Sequence, residues 1–259
     1  MSVVAPKLLT GVVRSEATKL VTARPLWILA LVTVVGTWPM AWSNAASGVG
    51  LASDDPRLYS SVPVPIEYQG FEMAGFGYVL VVAIAALWAG SEYGAGGQIR
   101  TTLLATPKRL RVYLTKIALL AVAVAAIAFL TMWGTLVITH VAGETGINPW
   151  ALNPAIWTHL GGVTLAWTLT ALIAFAIGVL ARTAILPLVL ITPLVIGIGD
   201  FLAGIWEEAR YLPTAAGAAL YSDPATGSFL PPAIGGLVQA SWAVLLLVLA
   251  GIAFTRRDL

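Results

Sequence analysis

The residues with the clearest potential for binding chemistry lie in one polar and basic stretch, from Ser91 to Tyr113, between two strongly apolar runs of this 259-residue sequence. Its middle, residues 98–105, carries several apolar side chains. Lys108, Arg109 and Arg111 follow in what reads as the first turn of a helix, where positive charge opposes the helix dipole. Positive residues instead collect on the cytoplasmic side of membrane-spanning segments. The pattern therefore predicts a cytoplasmic loop whose apolar middle can dock on a partner.

Motifs for covalent or metal chemistry are missing from the sequence. It contains no cysteine, no GxxxxGK(S/T) phosphate-binding loop and no HExxH zinc motif. The two histidines, His140 and His159, lie at the edges of one short loop and offer no convincing base for a nucleophile. A net charge of +2 is too small to indicate nucleic acid binding. We therefore expect no catalytic, cofactor or metal site in this chain, and no nucleic acid partner.

Composition places the chain in a membrane. Hydrophobic residues make up 59% and charged residues 10% of the sequence, and the mean hydropathy is +0.89. A soluble domain carries about 25% charged residues. The apolar runs predict an all-α, polytopic membrane protein with a helix over residues 1–25 followed by a six-span transmembrane domain over residues 26–259. The predicted spans are approximately 26–43, 71–90, 114–139, 158–180, 184–206 and 233–254.

Two further segments are predicted to lie at the membrane without crossing it. Residues 1–25 place apolar side chains on one half of a helical wheel and predict a cytoplasmic, interfacial amphipathic helix. Glu16 falls inside that apolar arc, which leaves two interpretations: a local pair with Lys19, or a contact with a docked cytoplasmic protein. Residues 211–221 are too short to cross a bilayer, so they either re-enter it from the outer face or lie on that face.

The distribution of charge predicts the orientation. With both termini in the cytoplasm, the cytoplasmic sections contain twelve Lys or Arg and three acids, whereas the outer sections contain two Lys or Arg and nine acids. Such a bias in Lys and Arg sets the orientation of membrane proteins. The predicted spans are almost free of ionisable residues. The one candidate, Asp200, lies about 24 Å along the fifth span and is expected near the outer surface.

Three stretches of the sequence resemble the membrane subunits, or permeases, of type-2 ATP-binding-cassette (ABC) transporters. They are the lead-in Arg14–Trp27, the inner loop Glu92–Arg109 with its Gly96-Gly97-Gln98-Ile99-Arg100-Thr101 core, and Tyr211–Leu220 before the last span. The resemblance implies a permease in the plasma membrane (the bacterial inner membrane) that pairs with a separate ABC ATPase subunit, to which ATP binds. It also implies that two permeases, either two copies or two paralogues, form an exporter within the lipid bilayer.

The same resemblance implies a set of residues that couple the permease to the ATPase. They are Glu16, Glu92, Ile99, Arg100, Leu103 and Leu104. The three apolar side chains would insert into a pocket on the ATPase, and Glu92 and Arg100 would fix their orientation by charge-assisted hydrogen bonds. The N-terminal helix would transmit the same movement. For Arg100, binding to anionic lipid headgroups is the alternative.

Two other classes of protein remain open at this point. A membrane anchor or sensory subunit that recruits a cytoplasmic partner without transporting anything explains the basic loop equally well, but it gives no reason for six spans. A membrane-embedded enzyme is disfavoured because buried catalytic groups are lacking.

Overall fold

The computed structural model describes residues 4–50, 64–93, 108–227 and 230–256, with the backbone alone for residues 4–10 and Asp200. These residues are helical with short connections, and no strand occurs among them. The predicted all-α fold class is confirmed.

The described part of the chain forms nine α-helices. They are α1 (Val4–Thr22), α2 (Arg24–Gly48), α3 (Ala74–Gly90), α4 (Arg109–Ala142), α5 (Pro154–Ala181), α6 (Ile185–Pro193), α7 (Gly199–Ile205), α8 (Pro213–Ala218) and α9 (Pro232–Arg256). The 3₁₀ turns Phe71–Met73 and Ser91–Tyr93 extend α3 at its two ends. A π-helical turn, Leu194–Ile198, joins α6 to α7.

Five helical segments of the described residues are long and apolar enough to cross a membrane. They are Arg24–Gly48, Phe71–Tyr93, Arg109–Ala142, Pro154–Ala181 and Pro232–Arg256, and each contains one of the predicted spans. The helices extend beyond the apolar runs because the polar residues at their ends also suit a helix. At the start of α5, for example, the side chain of Asn153 accepts a hydrogen bond from the Ile156 N–H (2.9 Å), and Pro154 occupies the first helical position.

The predicted fifth span, 184–206, is not one continuous helix. The helix α6 ends at Pro193, whose ring nitrogen has no hydrogen to donate to the preceding turn. Gly197 then adopts φ 113°, a backbone conformation that side chains with a Cβ strongly disfavour. The chain therefore turns between α6 and α7, so the segment predicted as the fifth span is a broken helix and not a continuous one. The total of six spans remains a prediction.

The core is centred on α5, which packs against α3, α4 and α9. Trp167 of α5 is fully buried and stacks on Tyr78 of α3, with 5.4 Å between ring centroids. The Tyr78 hydroxyl lies 2.6 Å from the Thr170 hydroxyl, which also accepts a hydrogen bond from Gln239 of α9 (2.9 Å). Gly77 permits this packing, because a Cβ there would lie 2.5 Å from the Trp167 ring.

Contacts between helix ends define two ends of the molecule. At one end, Gly90 of α3 lies so close to Ala184 that a Cβ on the glycine would be 2.6 Å from the alanine backbone nitrogen. At the opposite end, Asn44 of α2 donates a hydrogen bond to Glu72 (3.3 Å), and His159 of α5 contacts the Glu67 carbonyl (3.1 Å). The two groups of contacts are those expected if consecutive long helices run in opposite directions.

The segment 207–222 packs along α5 and α9. All six residues of α8 are buried, and Gly217 lies against Gln239 of α9. The Trp242 indole donates a hydrogen bond to the Tyr211 carbonyl (2.9 Å). Trp242 lies about 15 Å along α9 from the first residue of that helix, Pro232. The piece 211–221 is therefore held against the transmembrane helices, whereas its depth in a bilayer remains a prediction.

Candidate functional site

Four charged side chains form a cluster where α1, the end of α3 and the start of α4 meet. The cluster consists of Glu16 and Lys19 from α1, Glu92 from the 3₁₀ turn after α3, and Lys116 from α4. We call these four residues the ion cluster. It lies at the same end of the molecule as the contact between Gly90 and Ala184, next to residues 94–107 in the chain.

Each ammonium group in the ion cluster contacts both carboxylates. Lys116 Nζ lies 2.5 Å from Glu16 Oε2 and 2.7 Å from Glu92 Oε1. Lys19 Nζ lies 2.8 Å from Glu16 Oε1 and 3.2 Å from Glu92 Oε1. Two positive charges thus balance two negative charges. Hydrogen bonds between ionised groups are roughly twice as strong as those between neutral groups.

Three of the four side chains have almost no contact with solvent. Glu16 is 0% exposed, Lys116 is 2% exposed and Glu92 is 3% exposed. Charges removed from water in this way are tolerated only when they are paired and hydrogen-bonded. Removing one partner leaves an uncompensated buried charge and typically costs about 3–5 kcal/mol. The ion cluster therefore fixes the three elements relative to one another.

Local structure explains how the side chains reach one another. Glu16 and Lys19 are three residues apart on α1, so they share one face of that helix. Glu92 stands four residues after Trp88, and Lys116 Nζ lies 4.6 Å from the centre of the Trp88 ring. The indole ring attracts the ammonium group electrostatically while it also excludes water from it.

The surroundings of Lys19 keep it protonated. Burial alone lowers the pKa of this side chain, but the hydrogen bond to Glu16 and the negative charge of Glu92 outweigh burial, so that the pKa is raised above its ordinary value of 10.5. Lys19 is the one member of the cluster with substantial exposure, at 25% of its side chain. Its positive charge is therefore present throughout the physiological range of pH.

One oxygen of the ion cluster has no hydrogen-bond partner among the described residues. This atom is Glu92 Oε2, which is buried, while Glu92 Oε1 accepts hydrogen bonds from both lysines. A buried carboxylate oxygen without a donor costs free energy, so an additional donor at this point would stabilise the site. Residues 94–107, which follow Glu92 in the chain, lie outside the described residues.

The structure brings two of the six predicted coupling residues together. Glu16 and Glu92 share both lysines, and the predicted local pair between Glu16 and Lys19 is confirmed. Both oxygens of Glu16 are used within the chain, so its burial is explained without a docked protein. The other four predicted residues, Ile99, Arg100, Leu103 and Leu104, lie outside the described residues.

Sequence reasoning missed Lys116 as a partner. The expectation that the spans are almost free of ionisable residues named Asp200 as the one candidate, although Lys116 also lies inside the predicted third span. A signal was present: a lysine within an apolar run needs a counter-ion, and Glu16 sits within an apolar arc. The Asp200 side chain lies outside what the structure describes.

The ion cluster joins the two ends of the segment that carries the predicted docking loop. Glu92 lies two residues before the segment 94–107, and Lys116 lies nine residues after it. Their ion pair therefore brackets the predicted docking loop. Glu16 attaches α1 to the same pair. Among the described residues there is no group of three or more His, Cys, Asp or Glu that could hold a metal ion.

Comparison with known families identifies the class of protein. A family model described as "ABC-2 family transporter protein" matches residues 12–199, which is well over half of the chain. The chain belongs to the ABC-2 transporter family and is a multi-pass membrane subunit of a transporter. Membership implies an ABC ATPase as partner, and such permeases are transport components that are generally not catalytic themselves. No curated protein matches the sequence closely enough to add a function from a relative.

Proposed function

We propose that this chain is the permease of an ABC exporter, that it forms the translocation path with a second copy or a paralogue, and that a separate ATPase subunit drives it through α1 and residues 91–113. The observation that supports the proposal best is the ion cluster. It joins α1 to both sides of the loop on which the ATPase would dock.

In the proposed orientation, both termini and residues 91–113 lie on the cytoplasmic side of the plasma membrane. The excess of Lys and Arg in these sections supports this orientation. Helix packing is compatible with the two sections lying on one side, because Gly90 at the end of α3 contacts Ala184 just before α6. The broken segment 185–205 would supply the sixth crossing, and α1 would lie along the inner leaflet as an interfacial helix.

The loop would bind the ATPase through its apolar middle. Ile99, Leu103 and Leu104 would enter a pocket on the partner, and Arg100 would orient them. Full burial of a Leu or Ile side chain contributes about 1.5–3 kcal/mol, so three such side chains suffice to anchor a loop. The chain has no phosphate-binding motif of its own, so the force of ATP hydrolysis has to arrive from outside it.

Movement of the loop would then reach the membrane helices through the ion cluster. Glu92 precedes the loop, Lys116 follows it, and Glu16 connects both to α1. A buried charge left without its partner costs about 3–5 kcal/mol, so a displacement of the loop would move the attached helices with it. In this proposal Glu16 and Glu92 couple transport by holding these elements in place, without touching the ATPase.

A path between two chains fits the packing better than a path through one. The centre of the chain is filled by buried side chains, including Trp167, Phe175 and Gln239. Large apolar side chains face outward along α2 and α9, for example Leu31 (63% exposed) and Leu237 (69% exposed). Such surfaces suit contact with lipid and van der Waals packing against the helices of a second chain.

The direct test is purification of the tagged chain from its native membranes in a mild detergent. We expect an ABC ATPase to be recovered with it in comparable molar amount. Leu103→Asp should reduce the recovered ATPase strongly, because it places a charge in the apolar contact. Thr102→Asp is the matched control, since it introduces the same charge one residue away, and it should retain the partner.

Two outcomes would contradict the proposal. One is the absence of any ATPase from the wild-type preparation. The other is ATPase recovery that is equal in Leu103→Asp and Thr102→Asp, which would place the docking surface elsewhere. A cytoplasmic partner without ATPase activity would instead support a membrane anchor or sensory subunit.

A further inference from the structure

A second candidate site lies at the end of the molecule opposite the ion cluster. A cavity of about 900 Å³ opens there between the start of α3, the turn that joins α6 to α7, and α8. Small-molecule sites commonly have volumes of about 300–1,000 Å³. Nothing in the proposed coupling mechanism uses this cavity, so its chemistry has to be considered separately.

The wall of the cavity combines aromatic rings with acidic groups. The aromatic residues that line it are Tyr68, Phe71, Phe76, Tyr78 and Tyr221. Two carboxyl groups, those of Glu72 and Asp223, also line it, whereas no lysine or arginine is found among its described lining residues. Aromatic faces together with uncompensated acids favour positively charged ligands, because both attract a cation.

Neutral donors hold both carboxyl groups in place. Glu72 accepts hydrogen bonds from the Gly70 N–H (2.7 Å) and from the Asn44 amide (3.3 Å). Asp223 accepts one from the Ala225 N–H (2.9 Å). Within the described part of the chain, neither acid forms an ion pair. Both carboxyl groups can therefore pair with a cationic ligand, and a cation nearby would favour the ionised form of both.

The electrostatic environment of Tyr68 is consistent with a negative cavity. Burial raises the pKa of the Tyr68 phenol, and the negative charges of Asp223 and Glu67 raise it further. Negative charge disfavours the phenolate for the same reason that it would favour a bound cation.

Irregular backbone forms another part of the wall. The residues of the π-helical turn from Leu194 to Gly197 line the cavity, and Gly197 has φ 113°. Within a membrane protein, backbone that departs from the helix is tolerated where it is buried in protein or borders an aqueous cavity. Short π-helical turns also occur frequently at functional sites. The break in the predicted fifth span thus coincides with the cavity.

A buried hydroxyl group adds an independent indication of a ligand. Thr214 of α8 lines the cavity and is 5% exposed, and its Oγ1 has no hydrogen-bond partner among the described residues. A buried hydroxyl without a partner costs free energy. A bound molecule with a polar group would remove that cost.

We propose that this cavity binds a lipophilic cation, with its apolar body among the aromatic rings and its positive group facing Glu72 and Asp223. The binding itself needs no ATPase. Its interpretation as recognition of exported cargo rests on the proposed function. Lipid and a second copy of this chain are the other occupants to consider, and the two acids that form no ion pair among the described residues favour a cation over both.

Tetraphenylphosphonium is a suitable probe, because tetraphenylborate has nearly the same shape and the opposite charge. Binding of each radiolabelled ion to the purified full chain in an uncharged detergent would be measured by equilibrium dialysis, with empty micelles subtracted. We expect saturable binding of the phosphonium that excess unlabelled phosphonium displaces. The borate should bind at least on the order of tenfold more weakly, a difference of about 1.4 kcal/mol.

Three variants locate the site. Glu72→Gln and Asp223→Asn retain hydrogen-bonding side chains and should each weaken phosphonium binding on the order of tenfold. Glu208→Gln is the matched control, because it removes the same charge from an exposed position outside the cavity. It should bind like wild type. Thermal unfolding of each variant shows whether a loss of binding reflects a loss of fold.

Equal binding of the two ions would overturn the inference and indicate an apolar lipid site. Wild-type affinity in folded Glu72→Gln and Asp223→Asn would overturn it as well. The outcome is separable from the test of the proposed function. An ATPase that co-purifies with a chain that fails to bind the cation would leave the permease proposal intact. Cation binding to a chain that retains no ATPase would support the cation site and contradict the permease proposal.

Discussion

The ammonium nitrogen of Lys116 lies 2.5 Å from the carboxylate oxygen Oε2 of Glu16, although the two residues are 100 positions apart in the sequence. This contact attaches the N-terminal helix α1 to the start of α4, and both side chains are buried. Glu92 completes the arrangement from the end of α3. In the proposed mechanism, this contact would pass the movement of the loop to the membrane helices.

Loss of the central ammonium group should destabilise the fold. In Lys116→Met, Glu16 and Glu92 would remain buried with only Lys19 as a counter-ion, so we expect the free energy of unfolding to fall by about 3–5 kcal/mol. Thermal unfolding in detergent measures the change. Lys108→Met is the control, because Lys108 is exposed at the start of α4, and it should stay within about 0.5 kcal/mol of wild type. Equal stability of the two variants would argue against a buried ion cluster.

The contact between Glu16 and Lys116 should appear as an energetic coupling. In a double-mutant cycle with Glu16→Gln and Lys116→Met, the two losses of stability should differ from additivity by about 0.5–3 kcal/mol, because each substitution removes the same interaction. A parallel cycle that combines Glu16→Gln with Lys108→Met should be additive. Additivity in both cycles would mean that the two buried groups do not interact.

The turn between α6 and α7 should depend on glycine at position 197. An alanine there meets no neighbouring atom within 4 Å, so its cost would come from the backbone at φ 113° alone. We expect Gly197→Ala to lower stability by roughly 1–3 kcal/mol. Gly204→Ala also meets nothing within 4 Å, but it lies in α7 and should be neutral or stabilising. The thermal unfolding midpoints of the two variants provide the comparison. An unchanged midpoint in Gly197→Ala would show that residue 197 does not adopt a positive φ.

The contribution of Lys19 should disappear only at high pH. Because its folded-state pKa is raised above 10.5, its ion pairs contribute fully at lower pH and are lost as the pH rises through the folded-state value. The difference in stability between wild type and Lys19→Met should thus be constant from about pH 6 to about pH 9 and shrink above about pH 10.5. A difference that vanished near neutral pH would show that Lys19 is not held as the structure describes.

Local sequence patterns predicted the elements well and their long-range contacts poorly. Apolar runs predicted five helices that are long enough to span a membrane, and the spacing of Glu16 and Lys19 predicted their pair. Lys116 was missed as a partner because a periodicity within one helix carries no information about a residue 100 positions away.

The broken fifth span illustrates a different reason for failure. Its total apolar length fits one crossing, and that length concealed the effect of Pro193 and Gly197 within the run. Both residue types are common enough in membrane helices that neither predicts a break by itself. The cavity that the turn borders could not be predicted, because its wall combines residues from widely separated segments.

The most direct test of the central claim follows a movement from the ATPase to the cavity at the opposite end of the molecule. The chain has no cysteine, so Gly75→Cys introduces a single thiol in the cavity wall, at a position with no neighbouring atom within 4 Å of an added Cβ. Its rate of labelling by a maleimide would be measured in the complex with its ATPase, with and without a non-hydrolysable ATP analogue. We predict that the analogue changes the rate several-fold, and that Glu92→Gln abolishes this change while the ATPase stays bound. A rate that is unaffected by the analogue, or a change that persists in Glu92→Gln, would contradict transmission through the ion cluster.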